Sequence, residues 1–227
     1  MMRRVSIAAL LLAAAAAAQP GAFPASEKLE YTVNWPSGLS LGDGRLEARR
    51  SGEGWEFAFS LDAAVPGFAV SDRYRSVVSG GLCAVEAGKD STHGPRKTRE
   101  KTTFDYGKQV ARRATAGGGK SEVPIGACAR DALGFLFHLR RELGQGRVPP
   151  PQTVLFGAPY QVRLEYTGAQ TISVNEKRTE ADRIVVYCKG PASDFNFEIF
   201  FARDAARTPL AVRAPLALGT FSMELAQ

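Results

Sequence analysis

Apolar and polar residues alternate with a period of two through most of this 227-residue chain. Leu29, Tyr31, Val33 and Trp35 alternate with Glu30, Thr32 and Asn34, and Trp55, Phe57, Phe59 and Leu61 with Glu56, Ala58 and Ser60. The pattern returns at Tyr160, Val162, Leu164 and Tyr166, at Phe195, Phe197, Ile199 and Phe201, and at Phe221, Met223 and Leu225. Successive side chains of a strand point to opposite faces, so such segments bury one face and wet the other. One-sided strands belong to antiparallel sheets rather than to parallel sheets covered on both faces. Weaker runs place further strands near 38–50, 68–79, 98–106 and 109–115, and Arg183–Cys188 also reads as strand. Hairpin tips or loops are expected at Gly42-Asp43-Gly44, Ser51–Gly54, Tyr106-Gly107-Lys108 and Ala116–Gly119.

One segment departs from this period. From Asp131 to Leu143 the apolar positions Leu133, Leu136, Phe137 and Leu143 follow helical spacing. Asp131 suits the start of a helix, Arg140 and Arg141 its last turn, and Gly144 its end. The run Pro149-Pro150-Pro151 then makes a stiff connector. The expected fold is mainly β. It has ten or eleven strands in one strongly curved antiparallel sheet, a partly closed barrel or open sandwich, with one α-helix near 131–143. Curling is the usual way for so many strands to bury one face and limit exposed edges. A single β-rich domain over 26–227 accounts for the whole pattern.

The N-terminus stands apart from that domain. Arg3 and Arg4 precede an apolar run from Val5 to Ala18, 14 residues that are too few to span a bilayer as a helix, which takes about 20. A positive start, a short apolar stretch and the small residues Ala16-Ala17-Ala18 read as a secretory signal peptide over 1–18. The expected location is therefore outside the cytoplasm, in the periplasm or extracellular, with no transmembrane segment in the mature chain. The formal charge of +6 falls to +4 once Arg3 and Arg4 are removed, since residues 1–18 contain no acid. That density is well below what nucleic-acid binding needs.

Export also frames the cysteines. In an oxidising compartment three cysteines imply one disulfide and one leftover thiol. Cys188 lies inside an apolar strand, whereas Cys83 and Cys128 lie at element edges, where a bridge distorts no ladder. The expected pair is Cys83–Cys128.

No motif for catalysis is complete. Gly119-Lys120-Ser121 ends like a phosphate-binding loop, but the following Glu122-Val123-Pro124-Ile125-Gly126 does not open a helix, so it reads as a hairpin loop. The two histidines, His93 and His138, fall in a turn and in the predicted helix. There is no Gly-x-Ser-x-Gly elbow and no Cys or His spacing for zinc. Neither a cofactor nor a metal is expected. Asp72, Asp105, Glu165 and Glu198 are strand-embedded acids, and nothing in their spacing pairs two of them. The basic stretch Arg96, Lys97, Arg99, Lys101, Lys108, Arg112 and Arg113 is a candidate contact for an anionic envelope component such as a lipid phosphate, set against a merely solvated outer face.

Four segments, in order, resemble the bacterial family catalogued as domain of unknown function 3108: Glu27–Trp35, Ser71–Val78, Arg99–Asp105 and Arg130–Arg140. The resemblance runs over roughly 26–227. It implies an exported or envelope-associated protein and carries no catalytic residue with it. Asp131 and Arg140 of the helix are the best candidates for a shared feature, with a structural alternative of Asp131 as cap and Arg140 as partner of a sheet carboxylate. His93-Gly94-Pro95-Arg96-Lys97 departs from the Glu-Gly-Lys type of turn usual in that family.

A curled sheet offers a concave apolar interior. The leading reading is a non-catalytic periplasmic binding module for an apolar or amphipathic envelope molecule, of lipid-carrier or chaperone type. The alternatives are a structural or assembly protein that binds an envelope protein or peptidoglycan, and a hydrolase of an envelope polymer. The second predicts a filled core with an exposed edge or patch. The third predicts converging carboxylates, or His93 beside one.

Overall fold

The computed structural model describes residues 23–65, 67–191, 193–217 and 219–226. The expected signal peptide over 1–18 lies outside them. The first eight strands are β1 (Ser26–Asn34), β2 (Ser40–Ser51), β3 (Gly54–Val65), β4 (Phe68–Val78), β5 (Ala84–His93), β6 (Arg96–Asp105), β7 (Val110–Thr115) and β8 (Lys120–Pro124). The two-residue β9 (Arg130–Asp131) leads into helix α1 (Ala132–Gly144). Then come β10 (Gln152–Phe156), β11 (Ala158–Val174), β12 (Lys177–Lys189), β13 (Asp194–Ala202), β14 (Pro209–Leu216) and β15 (Gly219–Leu225).

All fifteen strands form one sheet, in the order β8-β7-β6-β5-β4-β3-β2-β1-β15-β14-β13-β12-β11-β10-β9. The expected ten or eleven strands are therefore too few; β5, β8, β9, β10 and β14 are additional. Every neighbouring pair is antiparallel except β9 and β10. Two meanders meet where β1 pairs with β15, Tyr31 opposite Leu225. The sheet curls without closing, because its edge strands β8 and β9 are not paired with each other. Instead the β9–β10 edge tucks against the inner face of β5–β7. Ala84 N–H donates to Ala129 O at 2.8 Å, Leu155 packs on the cluster of Phe104 and Ala111, and Arg113 Nη1 donates to Gly157 O at 2.6 Å. A disulfide joins Cys83, between β4 and β5, to Cys128, between β8 and β9.

Helix α1 plugs one end of the curl. Its apolar side sits between two clusters of the concave face. Leu133 and Phe137 meet Trp55, Phe57, Val78 and Leu82, while Phe135, Leu139 and Leu143 meet Val154, Val162, Ile184 and Phe201. Phe137 stacks on Phe57 with centroids 3.8 Å apart. Asp131 is the N-cap, accepting from Gly134 N–H at 3.0 Å and from the Ser76 hydroxyl at 2.8 Å, so the helix start is fastened to β4. Gly134 lets this contact form: a Cβ there would stand 2.7 Å from Asp131 Oδ1 and 3.2 Å from Val78. At the other end Arg140, fully buried, makes a bidentate pair with Glu27 of β1 at 2.6 and 2.8 Å and donates to Ala206 O at 3.1 Å.

Two local expectations are corrected. Gly42-Asp43-Gly44 is not a hairpin tip but part of β2; Gly42 lies so close to Asp62 that a Cβ would stand 2.0 Å from its carbonyl oxygen. Nor is the sheet wet on one side throughout. Phe200 and Phe201 are adjacent and both buried, which a one-sided strand does not allow. The end of the long β11–β12 hairpin folds over the convex face, where Ile172 and Val174 pack with Phe200 and Ala211. Asn175 Nδ2 anchors it by donating to Leu225 O at 2.5 Å.

Candidate functional site

Above α1 the curl is not filled. A cavity of about 380 Å³ opens there, within the usual range of small-molecule sites, roughly 300–1,000 Å³. Its floor is Leu133, Leu136 and Leu139 of the helix. One wall, from β11 to β15, is mainly apolar, with Val162, Val186, Phe197, Ile199, Val212 and Met223, and also carries Tyr160. These are the inward positions of the alternating strands. Cys188 belongs to the same wall as a free thiol, its pKa pushed up to about 11 by burial.

The opposite wall changes character with height. Register pairing sets Ser76, Ala87 and Thr102 side by side across β4–β6, and the next inward row is Tyr74, Lys89 and Glu100. Arg113 joins from β7, 3.4 Å from Glu100. Phe156, at the end of β10, closes over this row with its ring 5.4 Å from that of Tyr74. The Lys89 ammonium lies 5.8 Å from the Tyr74 ring centroid and 5.4 Å from that of Phe156, an arrangement that attracts a cation to the ring faces. Among the described residues Lys89 has no ion-pair partner, whereas its neighbour Arg113 is held by Glu100 and Gly157 O. The site is thus an apolar pocket with a cation near its mouth.

Strand pairing divides the basic stretch between the convex face, the cavity and the β5–β6 turn. Arg99 pairs with Asp90 at 2.7 Å, Lys101 with Glu86 at 2.9 Å, and Arg112 with both Asp105 and Glu122 at 3.1 and 2.7 Å. Arg113 faces the cavity. Arg96 and Lys97, at the β5–β6 turn, stay exposed with no ion pair among the described residues. Lys120 and Ser121 open a strand, so no helix follows Gly119.

His93 does lie beside a carboxylate, with Nε2 at 3.0 and 3.1 Å from the two oxygens of Asp72. Among the described residues no serine, threonine or cysteine side chain hydrogen-bonds to this imidazole, so the pair lacks the nucleophile that would complete a triad.

Two buried titratable groups, the helix N-cap Asp131 and His138 within the helix, shift in opposite directions. Burial raises the Asp131 carboxyl to about 6, against the opposing pull of the Ser76 hydroxyl and the Gly134 amide. Burial and the charge of Arg130 lower His138 to about 4. As pH falls from 6 towards 4, folded Asp131 takes up a proton before the unfolded chain does, which stabilises the fold. Over 6.5 to 4 the unfolded chain protonates its histidine while folded His138 does not, which destabilises it. Each effect amounts to at most about 3 kcal/mol, so the two largely offset one another. Urea unfolding at pH 4, 5 and 6.5 is expected to uncover them separately: relative to wild type, His138→Gln gains stability on acidification and Asp131→Asn loses it. Variants that keep the wild-type pH profile would contradict both assignments.

Lys89, Tyr74, Glu100 and Phe156 were not singled out by sequence reasoning. Ala84–His93 carries no apolar face, because Ala87, Lys89, Ser91 and His93 share one side of the strand, and of these Ala87 and Lys89 line the cavity. The available signal was the lysine within a polar run between two turn regions, which alternation alone does not rank.

Comparison with known proteins adds a family and a fold. The model of the family described as "Protein of unknown function (DUF3108)" matches residues 30–226. Comparison with the curated proteins gives no match. Among solved structures the chain is similar to the beta-barrel-like protein of domain of unknown function DUF1849 from Brucella abortus, with a TM-score of 0.64 and 7% identity. That alignment covers 88% of this chain and 95% of the other. At such low identity the likeness speaks for the curled fold alone.

Proposed function

The chain belongs to the DUF3108 family, and on that premise we propose that it is a non-catalytic binding module, exported to the periplasm, whose cavity holds an apolar or amphipathic molecule of the cell envelope. The observation that carries this reading is the unfilled space above α1. Inward side chains of β11–β15 that would interlock in a filled core instead face about 380 Å³ of open volume. A wall of Val, Ile, Phe and Met offers an acyl chain or similar group no hydrogen bond and costs it none. Burying such a group is worth about 0.8 kcal/mol per methylene. The polar end of an amphiphile would lie at Lys89, which among the described residues is in no ion pair, its cross-strand neighbour Glu100 being paired with Arg113.

The test is uptake of the apolar dye N-phenyl-1-naphthylamine and its displacement by hexadecanoate and by hexadecanol. Wild type is expected to bind the dye saturably, one per chain, and to be emptied at lower concentration by the acid than by the alcohol. Ala87→Trp, which fills the cavity from β5, is expected to weaken dye binding at least tenfold while circular dichroism stays unchanged. Lys89→Met is expected to keep dye binding and to erase the preference for the acid. Undiminished dye binding by the tryptophan variant would place the dye elsewhere and overturn the reading.

A further inference from the structure

The direction of the strands places seven turns at the end of the curl opposite α1: those that follow β1, β3, β5, β7, β10, β12 and β14. The apolar side chains left in water collect there. Of the eight large hydrophobic residues that are exposed among the described ones, five stand at these turns: Leu39 (66% exposed), Phe68, Phe156, Phe195 and Leu216 (60%). They come from five different hairpins, one side chain to each. Four cations, Arg96, Lys97, Lys120 and Lys189, occupy strand ends on the same rim, all exposed. Among the described residues none of the four is in an ion pair, in contrast to the cations of the convex face. Asp194, opposite Lys189, is an acid on this rim.

From this we infer that the rim is a docking surface for an anionic lipid bilayer, with the hairpin tips entering the headgroup layer and the four cations meeting lipid phosphates. Single apolar tips spread over five hairpins give no continuous patch of the kind a protein partner covers, about 800 Å² per side with close shape complementarity. A fluid interface asks for neither: apolar side chains partition into it one by one, and each basic residue near an anionic surface adds its own attraction. Leu39 and Leu216 also stand on the two turns that flank the β1–β15 junction, where a Cβ on Gly219 would stand 2.8 Å from Pro36, so these two tips are neighbours. The inference stands independently of the cavity, since a protein with a filled interior would dock equally well. If both hold, Phe156 and Phe195, which also line the cavity, would bring its mouth to the membrane surface.

The experiment is co-sedimentation of protein purified from periplasmic extract with vesicles of phosphatidylcholine alone and of phosphatidylcholine with 30% phosphatidylglycerol. Binding is expected to the mixed vesicles and to fall steeply with salt. Arg96→Ala/Lys97→Ala is expected to weaken it at least tenfold, each cation being worth roughly fivefold. Leu39→Ser/Leu216→Ser is expected to weaken it by a similar factor with the charge unchanged. Lys108→Ala/Lys177→Ala, two exposed lysines on turns at the opposite end, serves as the control that removes the same charge and is expected to leave binding unaltered. Equal binding to both vesicle types, binding to neither, or an equal loss in the control variant would overturn the inference.

Discussion

Arg140→Ala is expected to lower the free energy of unfolding by about 3–5 kcal/mol, enough to remove much of the margin of an ordinary domain. The guanidinium is wholly buried, and three of its nitrogens are occupied: two by the Glu27 carboxylate and one by Ala206 O. Its plane also lies near the rings of Phe137 and Phe23, with centroids 4.8 and 5.7 Å away. Truncation leaves the Glu27 carboxylate without a partner at a site where its side chain is 9% exposed. The cost comes from that stranded charge more than from the lost attraction. Replacing both members by apolar residues, Glu27→Leu with Arg140→Met, is therefore expected to recover most of the loss. Urea unfolding of the single and double variants checks this, and a loss below 1 kcal/mol in Arg140→Ala would show that the pair does not hold the helix to β1.

The second large effect is expected from the disulfide. Removing it with Cys83→Ser/Cys128→Ser is expected to cost about 4 kcal/mol on the chain-entropy account for cysteines 45 residues apart, and less if the unfolded chain retains structure. The bond also has a specific place in the architecture. It ties the turn between β4 and β5 to the segment that leads into β9, beside the Ala84 to Ala129 hydrogen bond that brings the sheet's edge back onto β5. Reduction should accordingly loosen the curl at its helix end. Thermal unfolding with and without reductant measures the loss, and alkylation of the unfolded, unreduced protein should label Cys188 alone. Unchanged stability in the serine variant would mean that the curl is held without the bond.

How far these features were legible follows from what each residue faces. Strands such as Leu29–Trp35 and Trp55–Leu61 were legible because one of their faces packs on α1 and the other meets water. The helix was legible for the same reason in its own period, with Asp131 and Arg140 already marked at its ends. β5 was not, because its inward face meets a cavity and polar neighbours instead of a packed core. β9 is two residues long and β10 follows three prolines, so neither carries a pattern of its own. The double burial of Phe200 and Phe201 depends on a hairpin folding back from 172–174, a tertiary event that no local window contains. The basic stretch was legible as a run of cations, but not which of them share a face or have acidic partners. Strand pairing gives Arg99, Lys101 and Arg112 acidic neighbours and turns Arg113 inward. What remained unread in the site is therefore its polar side, since polar inward positions look like outward ones until the sheet is curled.

The central claim, that the curl is a container, is most directly tested by native mass spectrometry of protein purified from periplasmic extract, before and after solvent extraction and again after incubation with envelope lipids. The account predicts a stoichiometric apolar or amphipathic adduct that extraction removes and incubation restores, and that the Ala87→Trp variant carries neither before nor after. A protein that stays empty through all three steps would contradict it.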